Sequence, residues 1–143
     1  MRLIGIDLGE KRTGLAISDQ TALIACPLKT IKTESLIEEL KEIVEREKIM
    51  DIVIGMPKNM NNTVGESGKK VLQLKEKLKE ELKINIHLED ERRTTIVAGE
   101  YMIETNVKKR KKKERVDKIA AALILQNYLD RRNNNGKNDI QSN

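Results

Sequence analysis

The order in which the periodicities change along this chain limits its fold more than any other feature. Strand-like runs come first, and helical spacing alternates with strands only afterwards. Residues 2–8 (RLIGIDL) form a short apolar, partly β-branched run stopped by Gly9, which predicts a buried strand. LAISD (15–19) follows a turn-rich GEKRTG, so the two runs predict a hairpin. A third strand is expected around 23–31, with Pro27 marking an edge or a bulge. Helical spacing then places Leu36, Ile37, Leu40, Ile43 and Val44 on one face, opened by a capping-box pair at Ser35 and Glu38.

DIVIG (51–55) reads as a strand bounded by Gly55 and Pro57. The polar loop KNMNNT leads to a helix carrying Val71, Leu74, Leu78 and Leu82, with capping-box spacing at Thr63 and Glu66. INIHLED (84–90) alternates as a strand, and a helix over 94–104 follows. The run Lys108-Lys109-Arg110-Lys111-Lys112-Lys113 is expected as a loop before a last helix over 114–131, which buries Val116, Ile119, Ala120, Leu123, Ile124 and Tyr128. Residues 1–131 make one domain, and the Asn-rich 132–143 has no core pattern and is expected as a disordered polar tail. An antiparallel meander followed by βαβ units implies an α/β fold: a five-stranded mixed sheet in the order 3-2-1-4-5, with helices on both faces.

Within that frame Asp7 is out of place. It lies inside an apolar strand assigned to the sheet centre, where an unpaired carboxylate is costly and tends to neutralise unless it meets a cation. Asp90 and Glu91 end the last strand at the same carboxyl edge, where open α/β sheets hold their ligands. Asp117 falls near the start of the last helix, beside its apolar stripe. Each acid has a plainer account: a salt bridge for Asp7, a polar strand terminus for Asp90 and Glu91, and favourable helix-dipole placement for Asp117. Convergence of all three segments on one edge is harder to dismiss. Hard carboxylate oxygens of this kind suit Mg²⁺ or Mn²⁺, and such ions serve phosphodiester cleavage.

Other chemistries find less support. His87, the single histidine, sits in mid-strand and reads as structural or surface, and Cys26 reads as a small core residue. The opening GIDLG is neither a dinucleotide fingerprint nor a P-loop. It resembles the first phosphate loop of actin- and hexokinase-type ATPases, but those need two such domains and 143 residues have room for one.

The charge is +5, from 28 Lys and Arg against 23 Asp and Glu, and much of the excess lies in the 108–113 run. Such concentration points to a polyanion, because phosphate contacts release counterions. With no Phe or Trp and two Tyr, base stacking on an aromatic platform is not expected, leaving backbone and shape as the expected means of recognition. One cysteine, no apolar N-terminal leader and no membrane-length apolar stretch favour a cytoplasmic setting with no membrane partner.

Four segments resemble, in order, those of the YqgF/RuvX family, RNase H-like bacterial proteins described as Holliday junction resolvases or pre-16S rRNA nucleases. They are GIDLGEKRTGLAISD (5–19), GMPKNMNNT (55–63), DERRTT (90–95) and KKRKKKERVDKIAAALILQNYLD (108–130). The resemblance implies an RNase H-like fold, with catalytic and metal-binding roles for Asp7, Glu91 and Asp117 and with Asp90 as an alternative to Glu91. Arg92, Thr94 and Thr95 would support the site or cap the next helix. Nucleic-acid backbone contacts are expected from Lys11, Arg12, Asn59, Arg92 and the basic run Lys108, Lys109, Arg110, Lys111, Lys112 and Lys113. Arg93 stands where the family often has an apolar residue, and Asn62 where Gly is frequent, which bears on loop shape rather than on the acids. The implied activity is metal-dependent cleavage of structured RNA, as in 5′-end processing of pre-16S rRNA within ribosomal precursor particles. Resolution of branched DNA and a non-catalytic assembly role are the alternatives, and the protein is expected as a monomer or homodimer.

Overall fold

The structure is a computed structural model that describes residues 1–57, 65–90 and 109–142, with side chains for all of these except 109–116 and 135–142. Strands β1 (Leu3–Asp7), β2 (Arg12–Ser18) and β3 (Ala25–Lys32) are followed by α1 (Leu36–Glu47), β4 (Asp51–Met56), α2 (Glu66–Leu82), β5 (Asn85–Asp90) and α3 (Lys109–Ser142). The five strands form one sheet in the order β3-β2-β1-β4-β5, as the sequence implies. β1–β2 and β2–β3 are antiparallel, whereas β1–β4 and β4–β5 are parallel.

Alternation along β1 and β4 sends successive side chains to opposite faces. Ile4, Ile6, Ile52 and Ile54 pack with Leu36, Leu40 and Ile43 of α1 and Val71 and Leu78 of α2. Leu3 and Val53 pack on the other face with Ala16, Ala121, Ile124, Leu125 and Leu129. Among the described residues, α1 and α2 therefore cover one face and α3 the other. α1 and α2 both end in a left-handed lysine, Lys48 and Lys83, whose N–H donates back to Val44 and Lys79. That stop turns each helix within a few residues into the next parallel strand.

Several sequence expectations need correction. β2 begins at Arg12 rather than at residue 15, because Thr13 and Gly14 already pair with Ile31 and Thr30 of β3. The expected capping box at Ser35 is not formed, since Ser35 makes no side-chain cap bond behind a 3-10 turn at Thr33–Ser35; Gly65 occupies the N-cap position of α2, and Thr63 of the second expected box lies outside the described residues. Cys26 is exposed, since it lies on the edge strand β3 and not in the core. Pro27 sits on that edge beside a register shift at Leu15/Ala16, as expected.

The basic run is helical from Lys109, so α3 starts five residues earlier than expected. Its buried stripe is Ala120, Ala121, Ala122, Ile124, Leu125 and Leu129, with Leu123 and Tyr128 only partly covered. The backbone of α3 stays helical to Ser142, through the segment expected as a disordered tail, sustained there by i→i−4 bonds within the helix. Leu129 is the last buried residue among those described. The expected 94–104 helix lies outside the described residues.

Candidate active site

Because β1, β4 and β5 run parallel, their carboxyl ends meet at one edge of the sheet. Asp7 ends β1, and Met56 and Asp90, which are register partners, end β4 and β5. Asp7 shares the face of Leu3, the face that α3 covers.

α3 reaches Asp7 because two strand positions lack a side chain. A Cβ on Gly5 would stand 2.7 Å from Leu125 Cβ and 2.8 Å from the Ala121 carbonyl oxygen. A Cβ on Gly14 would stand 1.9 Å from the carbonyl oxygen of Asp117. The backbone of Asp117 thus rests directly on Gly14, and Gly14 is the cross-strand partner of Asp7. Directly opposed residues on antiparallel strands lie roughly 4.5–5.5 Å apart, so the helix delivers Asp117 to the strand neighbour of Asp7. Arg12 closes the group, with Nε 3.9 Å from Asp117 Oδ2, and the Arg12 and Asp117 side chains are 31% and 25% exposed. The site is open enough to receive a ligand.

The longer helix also alters the reading of Asp117. It stands eight positions beyond Lys109, more than two turns inside α3, so favourable helix-dipole placement no longer accounts for it. The cationic backbone positions 109–113 precede it on the same helix. Lys11 is exposed and Arg12 half-buried, and with Thr30 and Lys32 they line an open concavity that also holds Glu10 and Glu34.

At β5 the strand register settles the face of Asp90. Ile86 and Leu88 belong to the cluster under α1 and α2, so alternation puts Asp90 on that face, away from Asp7. Glu91, Arg92, Asn59 and Lys108 lie outside the described residues, as do Thr94 and Thr95. Glu89, one residue before Asp90, faces α3 and is buried, with Oε1 accepting from Arg131 Nη1 at 3.1 Å and Oε2 paired with Nη2 at 2.5 Å. Burial pushes the Glu89 carboxyl above its ordinary range, and Arg131 offsets part of that shift. The sequence reading passed over this pair; a Glu at an α3-facing position of β5 was its only signal. Gly5 and Gly14 were passed over too, although glycines inside strands mark close backbone approach.

Among the described residues no group of three His, Cys, Asp or Glu side chains could hold a metal. Asp7 and Asp117 supply two carboxylates. The softer donors are elsewhere: His87 Nε2 lies 2.9 Å from Asp51 Oδ1 with its ring 5.0 Å from that of Tyr128, and Cys26 is on the edge strand. A donor set of carboxylates alone fits a hard divalent cation such as Mg²⁺ or Mn²⁺.

This sheet order, with α3 laid across its centre, defines an RNase H-like fold. Thermus thermophilus RuvC solved with a Holliday junction substrate superposes with a TM-score of 0.58 at 16% identity, over 92% of this chain and 96% of that one. The fowlpox virus Holliday junction resolvase gives 0.54 at 14% identity, over 91% and 99%. At sequence level the family described as "RuvX: Holliday junction resolvase" matches residues 1–131. A Caldanaerobacter subterraneus protein named "Putative pre-16S rRNA nuclease" is 43% identical, over 94% of this chain and 99% of its own length. A Thermoanaerobacter pseudethanolicus protein of the same name is 46% identical over the same shares. The chain belongs to the RuvX family.

Proposed function

We propose that this protein is a metal-dependent endonuclease that hydrolyses phosphodiester bonds of structured nucleic acid, acting in 5′-end processing of pre-16S rRNA. The observation that carries the reading is the seating of Asp117 on Gly14, the strand partner of Asp7, at the carboxyl edge of the sheet. The substrate follows from the relatives' shared name.

Asp7, Glu91 and Asp117 are the residues we assign to hold Mg²⁺ or Mn²⁺. Asp90 is set aside because alternation from Ile86 and Leu88 puts it on the face under α1 and α2, and Glu91 is taken from the family resemblance. When bound, the cation supplies a water of lowered pKa and stabilises charge on the phosphate oxygens. Asp7 and Asp117 would hold the cation at the sheet edge, and Arg12 holds Asp117 in place. Lys11, Arg12, Asn59, Arg92 and the 108–113 run are assigned to the substrate backbone, contacts that weaken as salt rises.

Incubation with precursor 16S rRNA and Mn²⁺ or Mg²⁺ is expected to give cleavage that Asp7→Asn abolishes. Cleavage surviving in that variant overturns the site assignment, and salt-sensitive binding without turnover in any divalent ion points to an assembly factor instead. The family description supports a second reading, resolution of four-way DNA junctions by the same site. A junction substrate assayed beside the rRNA separates the two, and symmetric nicking requires a homodimer. A cytoplasmic setting accords with these roles, and no helix among the described residues is long and apolar enough to cross a membrane.

A further inference from the structure

We propose that Thr33 is a positioning residue for this site, acting through the four-residue loop 8–11 that joins Asp7 to Arg12; the inference rests on the nuclease reading above. Thr33 lies outside the four family-like segments, in the 3-10 turn between β3 and α1, yet it holds the loop at two points. Its hydroxyl donates to the Gly9 carbonyl at 2.8 Å, and its N–H donates to the Lys11 carbonyl at 3.0 Å. Thr13 Oγ1 lies 2.8 Å from Thr33 Oγ1. A hydroxyl carries a single proton, and Thr33 gives its proton to Gly9, so Thr13 is the donor in that contact. The chain runs Thr13 O–H to Thr33 O–H to the Gly9 carbonyl, and Thr13 is fully buried.

This network ties together three things the site needs. β1 ends at Asp7 one residue before the loop, β2 begins at Arg12 one residue after it, and Arg12 faces Asp117. Gly14, on which Asp117 rests, is the next residue after Thr13. Two loop carbonyls clamped from the 3-10 turn therefore set where Arg12 leaves the sheet, and with it the angle at which the guanidinium meets Asp117. Loss of the clamp leaves both acids on their elements and loosens the group between them. The consequence falls on turnover, because reacting groups held even slightly out of place lose rate while the substrate backbone still binds.

The test compares Thr33→Val, Thr33→Ser and Asp7→Asn in the full chain with the wild type. Thr33→Val is expected to lower kcat for precursor rRNA cleavage by roughly 10- to 100-fold with little change in KM, and to speed amide hydrogen exchange in residues 9–12. Thr33→Ser, which keeps the hydroxyl, restores both. If Thr33→Val unfolds the protein, the double variant Thr13→Val/Thr33→Val, which removes the buried donor along with its acceptor, takes its place with the same expectations. Unchanged kcat and exchange in the valine variant, beside an inactive Asp7→Asn, overturn the inference and leave the nuclease reading standing. Equal losses in valine and serine variants also overturn it, because packing of the methyl group is then responsible. If Asp7→Asn cleaves normally the site assignment fails, and exchange in residues 9–12 still decides whether Thr33 clamps the loop.

Discussion

On the face under α1 and α2, β1 and β4 present Ile4, Ile6, Ile52 and Ile54, all fully buried. On the face under α3 the same region presents Leu3, Gly5, Asp7, Gly14, Ala16 and Val53. The first face is filled with branched aliphatics against two helices, and the burial of such side chains is what stabilises a domain of this size. The second is cut away by glycine and alanine, so that one helix lies with its backbone on the strands. It gives up apolar area and gains close approach, and close approach seats the backbone of Asp117 on Gly14, the strand partner of Asp7. Stability and the proposed chemistry are thus divided between the two sides of one sheet.

The largest effect expected from that division is on stability at the aliphatic face. Leu40→Ala should cost about 2–5 kcal/mol in denaturant unfolding, while kcat per folded molecule stays at the wild-type value. A loss of kcat there would break the division. Asp7→Asn should do the reverse: cleavage falls by more than the roughly 10- to 100-fold that follows removal of a group supporting a metal ligand, and the melting temperature holds or rises. Gly14→Ala probes the contact between the faces' two purposes. Its Cβ would meet the Asp117 carbonyl oxygen at 1.9 Å, so α3 must shift, at a cost of about 1–3 kcal/mol. Cleavage should fall beyond what the folded fraction explains.

Two smaller effects sharpen the picture. Arg131→Ala leaves the buried Glu89 carboxylate without its fork partner. The guanidinium is more than half exposed, so the expected cost is about 1–2 kcal/mol, read by thermal melting. Because this strut ties the far end of α3 to β5, kcat at saturating metal should barely move. A large change would mean that the whole length of α3, and not its seat on Gly14, sets the site.

The smallest effect is on acid stability at the β2–β3 turn. Asp19 accepts from the N–H groups of Ile24 and Leu23 and from the Thr21 hydroxyl, which hold its carboxyl down from 3.8 to about 2. A depressed folded-state pKa means the charged form stabilises the fold. That contribution is complete above 3.8 and disappears as pH falls toward 2. Asp19→Asn should flatten the pH dependence of stability across that window without altering cleavage at neutral pH.

Much of this was legible before any coordinates. The switch from meander to βαβ units gave the strand order 3-2-1-4-5, because connection rules leave few alternatives once strands and helices are in sequence. Asp7 stood out because an acid in a central strand conflicts with its surroundings, and Asp90 and Glu91 because parallel strands share a carboxyl edge. The choice between those two was not legible, since it turns on which face each residue takes, and strand register at a terminus is uncertain by a residue. Alternation from Ile86 and Leu88 puts Asp90 on the aliphatic face.

Other features waited on packing for different reasons. Cys26 reads as core from its apolar neighbours, but edge position leaves it exposed. Thr33 and the Glu89–Arg131 pair join residues 24 and 42 positions apart or within different elements, so no local pattern records them. The sequence alone determined which elements form, their order and which acids fall at their ends, because periodicity and turn chemistry are local. Only the tertiary structure brought the backbone of Asp117 onto the strand partner of Asp7. That depends on how closely α3 approaches the sheet, and two absent side chains, at Gly5 and Gly14, set that distance.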